Sequence, residues 1–178
     1  MNEEDEQFHL FWGGPFSQWN KVDMEIDGVV YNCCEQYMMA MKAKVFGDKE
    51  AEEEIMETHD PREQKAIGRR VQDFDRDVWE NIEENGQPYC WNVVYKGNKA
   101  KFDQNPGLKE YLLATKGTTI VEASPYDKIW GIGRDQDDPA AHDRTKWRGT
   151  NWLGEVLTVL RDNYLDERMN MTEVVGHH

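Results

Sequence analysis

Glu35 and Lys42 stand seven residues apart at the end of the stretch Glu25 to Lys42, just after a hairpin-like segment. On a helix, seven residues return to within about 20° of the starting direction and advance about 10 Å, so both side chains share one face. A carboxyl group and an amine so placed can address opposite ends of one small substrate, and such a pair suits chemistry at a sugar carbon. Each residue also has a plainer use. Asn32-x-x-Glu35 approximates a capping box, in which the glutamate satisfies backbone donors at the helix start. A lysine on a helix is ordinarily solvated. Met38, Met39 and Met41 favour the reactive reading of Lys42, because an apolar surround lowers an amine pKa and leaves more of it nucleophilic, while the methionines themselves read first as core.

A second group of residues lies in the loop before the last helix. In Trp130-Gly-Ile-Gly133 the paired glycines let backbone approach a ligand while the indole stacks on it, or else they hold a buried tryptophan in a tight turn. Asp127, three residues earlier, is read as a second carboxylate or a hydroxyl-binding group. Asn151 is placed to cap the last helix. Gly131 and Gly133 are not part of a Gly-x-Gly-x-x-Gly fingerprint, so no dinucleotide-binding fold is read from them. The aromatic loop Phe11-Trp-Gly-Gly-Pro-Phe-Ser-Gln-Trp19 either caps a core or stacks on a base.

The elements that position these groups follow from pattern and punctuation. Met24 to Ile26 and Val29 to Tyr31 flank Asp27-Gly28, a pair favoured in two-residue hairpin turns. A helix from about Cys33 to Phe46 is stopped by Gly47. Asp48 to Glu57 reads as an acidic helix, and Asp60-Pro61 opens a third with aspartate as cap and proline at the first helical position. Further helices are expected over Arg76 to Glu84, Cys90 to Asp103 and Gly107 to Thr115. Thr118 to Ala123 reads as a strand. Ser124 to Thr150 reads as a structured functional loop, and Asn151 to Asp162 as an amphipathic helix with Leu153, Val156, Leu157 and Leu160 inward. The expectation is one mainly helical α+β domain with a small β-sheet over residues 11–165. An acidic flexible tail is expected over 1–10, and a C-terminal tail over 166–178.

The chain has 178 residues, 38% of them hydrophobic, with seven tryptophans. That is enough to bury a core. A net charge of -14 argues against tracking many nucleic-acid phosphates and favours small or single-stranded substrates. Basic residues gather at Arg69-Arg70, Lys96 to Lys101 and Arg144 to Arg148, where a small anion could bind. Met1 to Gln7 lacks the pattern of a signal peptide, no apolar run is long enough to span a membrane, and three cysteines without Cys-x-x-Cys fit a reducing cytoplasm. His9, His59 and His142 lack zinc-ligand spacing, so neither metal nor cofactor is expected. His177 and His178 read as a tag remnant.

In order, the chain carries Phe16-Ser17-Gln18-Trp19, Asp27-Gly28-x-x-Tyr31-x-x-x-Glu35-x-Tyr37-x-x-Ala40-x-Lys42, Gly68-Arg69, Trp79, Ala100-Lys101-Phe102 and Leu112-Leu-Ala-Thr115. Asp127-x-x-Trp130-Gly131-x-Gly133 and Asn151-x-Leu153-Gly154 follow. This series resembles the NADAR family, also called YbiA-like, over about Phe11 to Arg161. It departs at Cys33-Cys34, where a hydroxyl or small residue is usual, and at Gln36, often histidine. The resemblance implies an N-glycosidase cleaving a ribose C1–N bond, with ADP-ribose adducts on guanine as the leading substrate, free or on single-stranded nucleic acid. Phosphoribosylamino pyrimidines of riboflavin synthesis are the alternative, and a non-catalytic ADP-ribose sensor is a third reading. It further implies Lys42 as nucleophile through a Schiff base and Glu35 as proton shuttle, with Asp127 assisting or binding ribose hydroxyls. Trp130 would stack on the base and Arg69 and Lys101 would meet phosphate. Phe16, Ser17, Trp19, Trp79, Gly131, Gly133 and Asn151 are the other expected substrate-binding positions. In a competing mechanism Glu35 and Asp127 activate water without a covalent lysine.

Overall fold

The computed structural model describes residues 5 to 176. The first residues of the expected acidic tail and the terminal His177-His178 lie outside the described residues. In chain order the elements are β1 (Phe8–Phe11), β2 (Met24–Ile26), β3 (Val29–Tyr31), α1 (Cys34–Val45), α2 (Lys49–Glu57), α3 (Pro61–Arg69) and α4 (Arg76–Trp79). They continue with α5 (Tyr89–Asp103), α6 (Pro106–Leu113), β4 (Thr119–Glu122) and α7 (Trp152–Gly176). The class is mainly helical α+β, as the pattern implies. Where the sequence suggests no boundary, the fold has two compact units, one of Ser17–Asn105 and one of the residues before and after it. No helix among the described residues is long and apolar enough to cross a membrane.

In the Ser17–Asn105 unit, β2 and β3 pair antiparallel with Met24 opposite Tyr31 and Ile26 opposite Val29. Asp27 and Gly28 turn between them at φ 52° and 83°, the two positive values that a tight hairpin requires. The chain then enters α1, which packs against α2, α3 and α5. Small residues make that packing close. A Cβ on Gly68 of α3 would lie 2.0 Å from Met39 Sδ, and one on Gly97 of α5 would lie 3.0 Å from the Tyr37 ring. α3 has the expected cap, Asp60 accepting from Arg62 N at 2.9 Å; Asp48, read as the first residue of α2, instead caps it by accepting from Ala51 N at 3.1 Å. The helix expected over Arg76 to Glu84 stops at Trp79 instead. Its continuation is replaced by a turn in which Glu83 N bonds Gln87 O and Gly86 takes φ 80°, because Asn85-Gly86 favours a reversal over another helical turn.

In the other unit, β1 and β4 pair in parallel, Phe8 opposite Thr119 through Phe11 opposite Glu122. The stretch read as a flexible tail therefore contains an ordered strand from Phe8. The last helix also outruns its expected end at Asp162, continuing to Gly176 through the segment read as tail. α7 lies against β4, with Leu153, Val156, Leu157 and Leu160 buried. Gly154 permits that approach, since a Cβ there would sit 2.1 Å from Ile120 O. Val121, Ala123, Ile132 and Ala141 form the core beneath, with Phe8, Leu10 and Trp147 packed on it.

Candidate active site

The head of α1 sets Glu35. The residue before the helix, Cys33, is fully extended and caps nothing with its side chain. The reciprocal bond of the capping pattern is made by Gln36, whose Oε1 accepts from Asn32 N at 2.8 Å while its Nε2 donates to Ile55 O at 3.1 Å. Gln36, a family departure, thus takes the structural work that Asn32-x-x-Glu35 had suggested for the glutamate. Glu35 is buried at 6% exposure, and its backbone N–H donates to Gln18 O at 3.0 Å. The Ser17-Gln18 segment is in turn held by α5: Asn98 Nδ2 donates to Gln18 Oε1 at 2.8 Å, and Lys101 Nζ donates to Ser17 O at 3.2 Å. Gln18 and Asn98 escaped the sequence reading. For Asn98 the only signal was a polar residue at a position that helix spacing turns inward, and Gln18, in a turn, offered none.

Lys42 sits two turns further along α1, half-buried, with its Nζ 4.3 Å from the centroid of the Phe74 ring. Burial pulls its pKa below the ordinary lysine value of 10.5. The Glu35 charge opposes that shift and the Arg69 charge assists it. Glu35, Lys42 and Arg69 therefore share one electrostatic field, as the helical spacing predicts for the first two. The neighbouring methionines are core residues, as their type suggests: Met38 and Met39 are buried, Met38 Sδ accepts from Gln18 Nε2 and Met39 packs on Gly68, while Phe74, remote in sequence, covers the amine. Phe74 carried no sequence signal, because nothing in a loop aromatic reveals which helix it will meet.

Two other predicted residues of this unit are less open to ligand than expected. Lys101, read as a phosphate contact, is fully buried. Trp79 is buried against Tyr89, ring centroids 5.8 Å apart, and serves packing. Trp19 is exposed, its backbone N–H bonded to Ser17 Oγ and its ring 6.0 Å from Lys65 Nζ. Arg69 is exposed at the end of α3.

Phe16, Asp127, Trp130, Gly131, Gly133 and Asn151 belong to the other unit. Asp127 Oδ1 accepts from Ile129 N at 2.9 Å and Trp130 N at 2.8 Å, so one carboxylate oxygen shapes the Trp130 turn. Trp130 meets Trp152 edge-on at 5.6 Å. Gly131 lets three segments converge, since a Cβ there would lie 2.9 Å from Asp127 O and 3.0 Å from Glu122 O; Gly133 takes φ 68°. Asn151 does more than begin α7: its side chain accepts from Glu122 N at 2.9 Å and donates to Ile120 O at 3.1 Å, tying helix to strand. Phe16 is buried among Phe11, His9 and Tyr111.

Known proteins resemble this chain in sequence and fold. N-glycosidase R617 of Acanthamoeba polyphaga mimivirus is 41% identical over 152 residues, 83% of this chain and 85% of the relative. The chloroplastic riboflavin biosynthesis protein PYRR of Arabidopsis thaliana is 37% identical over 119 residues, 65% of this chain but 17% of that longer protein. The NMR structure of the E. coli protein YbiA superposes with a TM-score of 0.72 at 27% identity, covering 92% of this chain and 88% of YbiA. The NADAR domain matches residues 3–164, and the chain belongs to the NADAR domain family.

Proposed function

We propose that the chain is an N-glycosidase that hydrolyses the ribose C1–N bond of ADP-ribose attached to the exocyclic amine of guanine, in a nucleotide or in single-stranded nucleic acid. The observation that carries this reading is Lys42: a half-buried amine with a lowered pKa, in the field of a buried carboxylate on the same helix face. A glycosylamine can open by breaking C1–O4′, with the proton on nitrogen passing to O4′ and leaving an imine at C1. The neutral Lys42 amine adds to that carbon, and its proton moves to the substrate nitrogen. The C1–N bond to guanine then breaks as that nitrogen takes a second proton from Lys42, leaving a lysine imine. Water adds to the imine, and the sugar departs as free ADP-ribose with the amine restored. Glu35 carries the protons between these atoms. Arg69 meets phosphate, and Asp127 and Trp130 retain the ribose and base roles that the family resemblance gives them.

Relatives named N-glycosidase support the bond type. The relative named for riboflavin biosynthesis favours one second reading, hydrolysis of a phosphoribosylamino pyrimidine, which calls for a monophosphate pocket without room for adenosine. Mass spectrometry of products from ADP-ribosylated guanosine and from a single-stranded oligonucleotide carrying the same adduct decides between them. Lys42→Ala and Glu35→Gln should each lower turnover by about 10²- to 10⁴-fold. No release by the parent from either substrate would remove the ADP-ribose reading. Tight binding of ADP-ribose without turnover, unchanged in both variants, would identify a sensor.

A further inference from the structure

Lys101 is an expensive residue. It is fully buried on α5, and burial lowers its pKa. A lysine at such a position normally either loses its charge or faces an opposite one, since a neutral carbonyl does not cancel an ammonium charge shielded from water. Its location narrows the choice. Lys101 Nζ donates to Ser17 O at 3.2 Å, and the next carbonyl, Gln18 O, accepts the Glu35 N–H at 3.0 Å. Adjacent peptide groups thus tether the amine and the first turn of α1, and consecutive Cα atoms are only about 3.8 Å apart. Asn98, one turn before Lys101, grips the side chain of the same Gln18. The two charges also act on one pair of thiols: at Cys33 and Cys34, buried and shifted upward, Lys101 pulls down while Glu35 pushes up. The other charges reaching this group are Lys42, which feels Glu35, and Arg69, which acts on Lys42.

We infer that Lys101 is a positioning residue for Glu35: its buried ammonium, held by the Ser17 carbonyl, fixes the Glu35 carboxylate at the head of α1 and keeps it ionised between turnovers. Glu35 then begins each cycle as a base. Its first act is to accept a proton, which frees the glycosidic nitrogen to form the imine. The conclusion that this matters for turnover rests on the proposed N-glycosidase reading; the pairing itself does not.

The test is therefore split. NMR of glutamate labelled at the carboxyl carbon, with the Glu35 signal assigned by its loss in Glu35→Gln, follows the titration in parent, Lys101→Met and Lys101→Arg. The Glu35 midpoint should rise by about one pH unit or more in folded Lys101→Met and return towards the parent in Lys101→Arg. The acid limb of kcat/KM should move with it, whereas a purely structural lysine would lower stability and leave both midpoints in place. Should Lys101→Met fail to fold, the reverse measurement stands. In Glu35→Gln the Lys101 ammonium, followed through its side-chain nitrogen, should titrate at least about one pH unit lower than in the parent. An unchanged partner titration in whichever variant folds would overturn the pairing. Coupled titrations in a chain that releases no ADP-ribose would uphold the pairing and sink the ADP-ribose reading. Release with uncoupled titrations would do the reverse.

Discussion

A half-buried lysine beneath a phenylalanine ring is held in a state that folding alone does not favour. Because the Lys42 pKa is lowered in the folded chain, its charged form works against folding below that pKa. The penalty fades as pH rises from the folded value towards 10.5. Lys42→Met, which keeps the apolar stem and removes the charge, should raise stability at neutral pH by about 0.5–2 kcal/mol while abolishing turnover. Chemical denaturation beside the ADP-ribose assay would show whether the two move in opposite directions. The same shift fixes the sign of the pH dependence. Borohydride trapping of a lysine–sugar adduct should increase with pH and level off below 10.5, and Lys42→Ala should give none. A parent that turns over but traps no adduct would favour the two-carboxylate route. The helical spacing of Glu35 and Lys42 was visible in the sequence, as was an apolar surround. That Phe74 supplies the cover was not, because it depends on where the loop after α3 returns.

Glycine placement decides whether the elements can approach each other. At Gly154 an added Cβ would lie 2.1 Å from the Ile120 carbonyl and 2.4 Å from Asn151 Oδ1, and backbone cannot yield as a flexible side chain can. Gly154→Ala should therefore push α7 off β4 and cost about 3 kcal/mol or more. At Gly107, in α6, nothing stands within 4 Å, so Gly107→Ala should stabilise by about 0.4–1 kcal/mol by restricting the unfolded chain. Thermal melts of the two variants, expected to move in opposite directions, check both. The hairpin, the cap at Asp60 and the inward face of α7 were legible because local chemistry alone determines them. The early end of α4 was not, since Asn81 to Gly86 can extend a weak helix or reverse it, and the bond from Tyr89 N back to Asn81 O selects the reversal.

Over the whole molecule, the beginning of the chain is fastened to distant residues. Glu6 accepts from Arg144 and from Thr119 Oγ1, alongside the pairing of β1 with β4. The hydrogen bond from Arg144 lowers the Glu6 pKa below its ordinary 4.5, partly offset by burial. Stability from this contact is accordingly present above pH 4.5 and lost as pH falls through the lower folded value. Asp48, Asp138 and Asp143, also held low by the hydrogen bonds they accept, should add to the same acid-side loss. Glu6→Gln should cost no more than about 1 kcal/mol at pH 7 and flatten the stability curve below pH 4.5. Urea melts across pH 3 to 7 would test that; a curve of unchanged slope in the variant counts against it.

The sequence by itself determined what depends on neighbours along the chain. It placed Glu35 and Lys42 on one face, the Asp27-Gly28 turn, the helix starts, and a series of motifs specific enough to imply the family. Tertiary structure decided what depends on residues far apart. The Phe8–Phe11 strand exists because residue 119 onward pairs with it, and four residues beside an acidic stretch carry too little pattern to announce that partner. Lys101 looked like a surface cation suited to phosphate. Only the packing of α5 on the Ser17-Gln18 segment shows it to be buried, its amine donating to the Ser17 carbonyl.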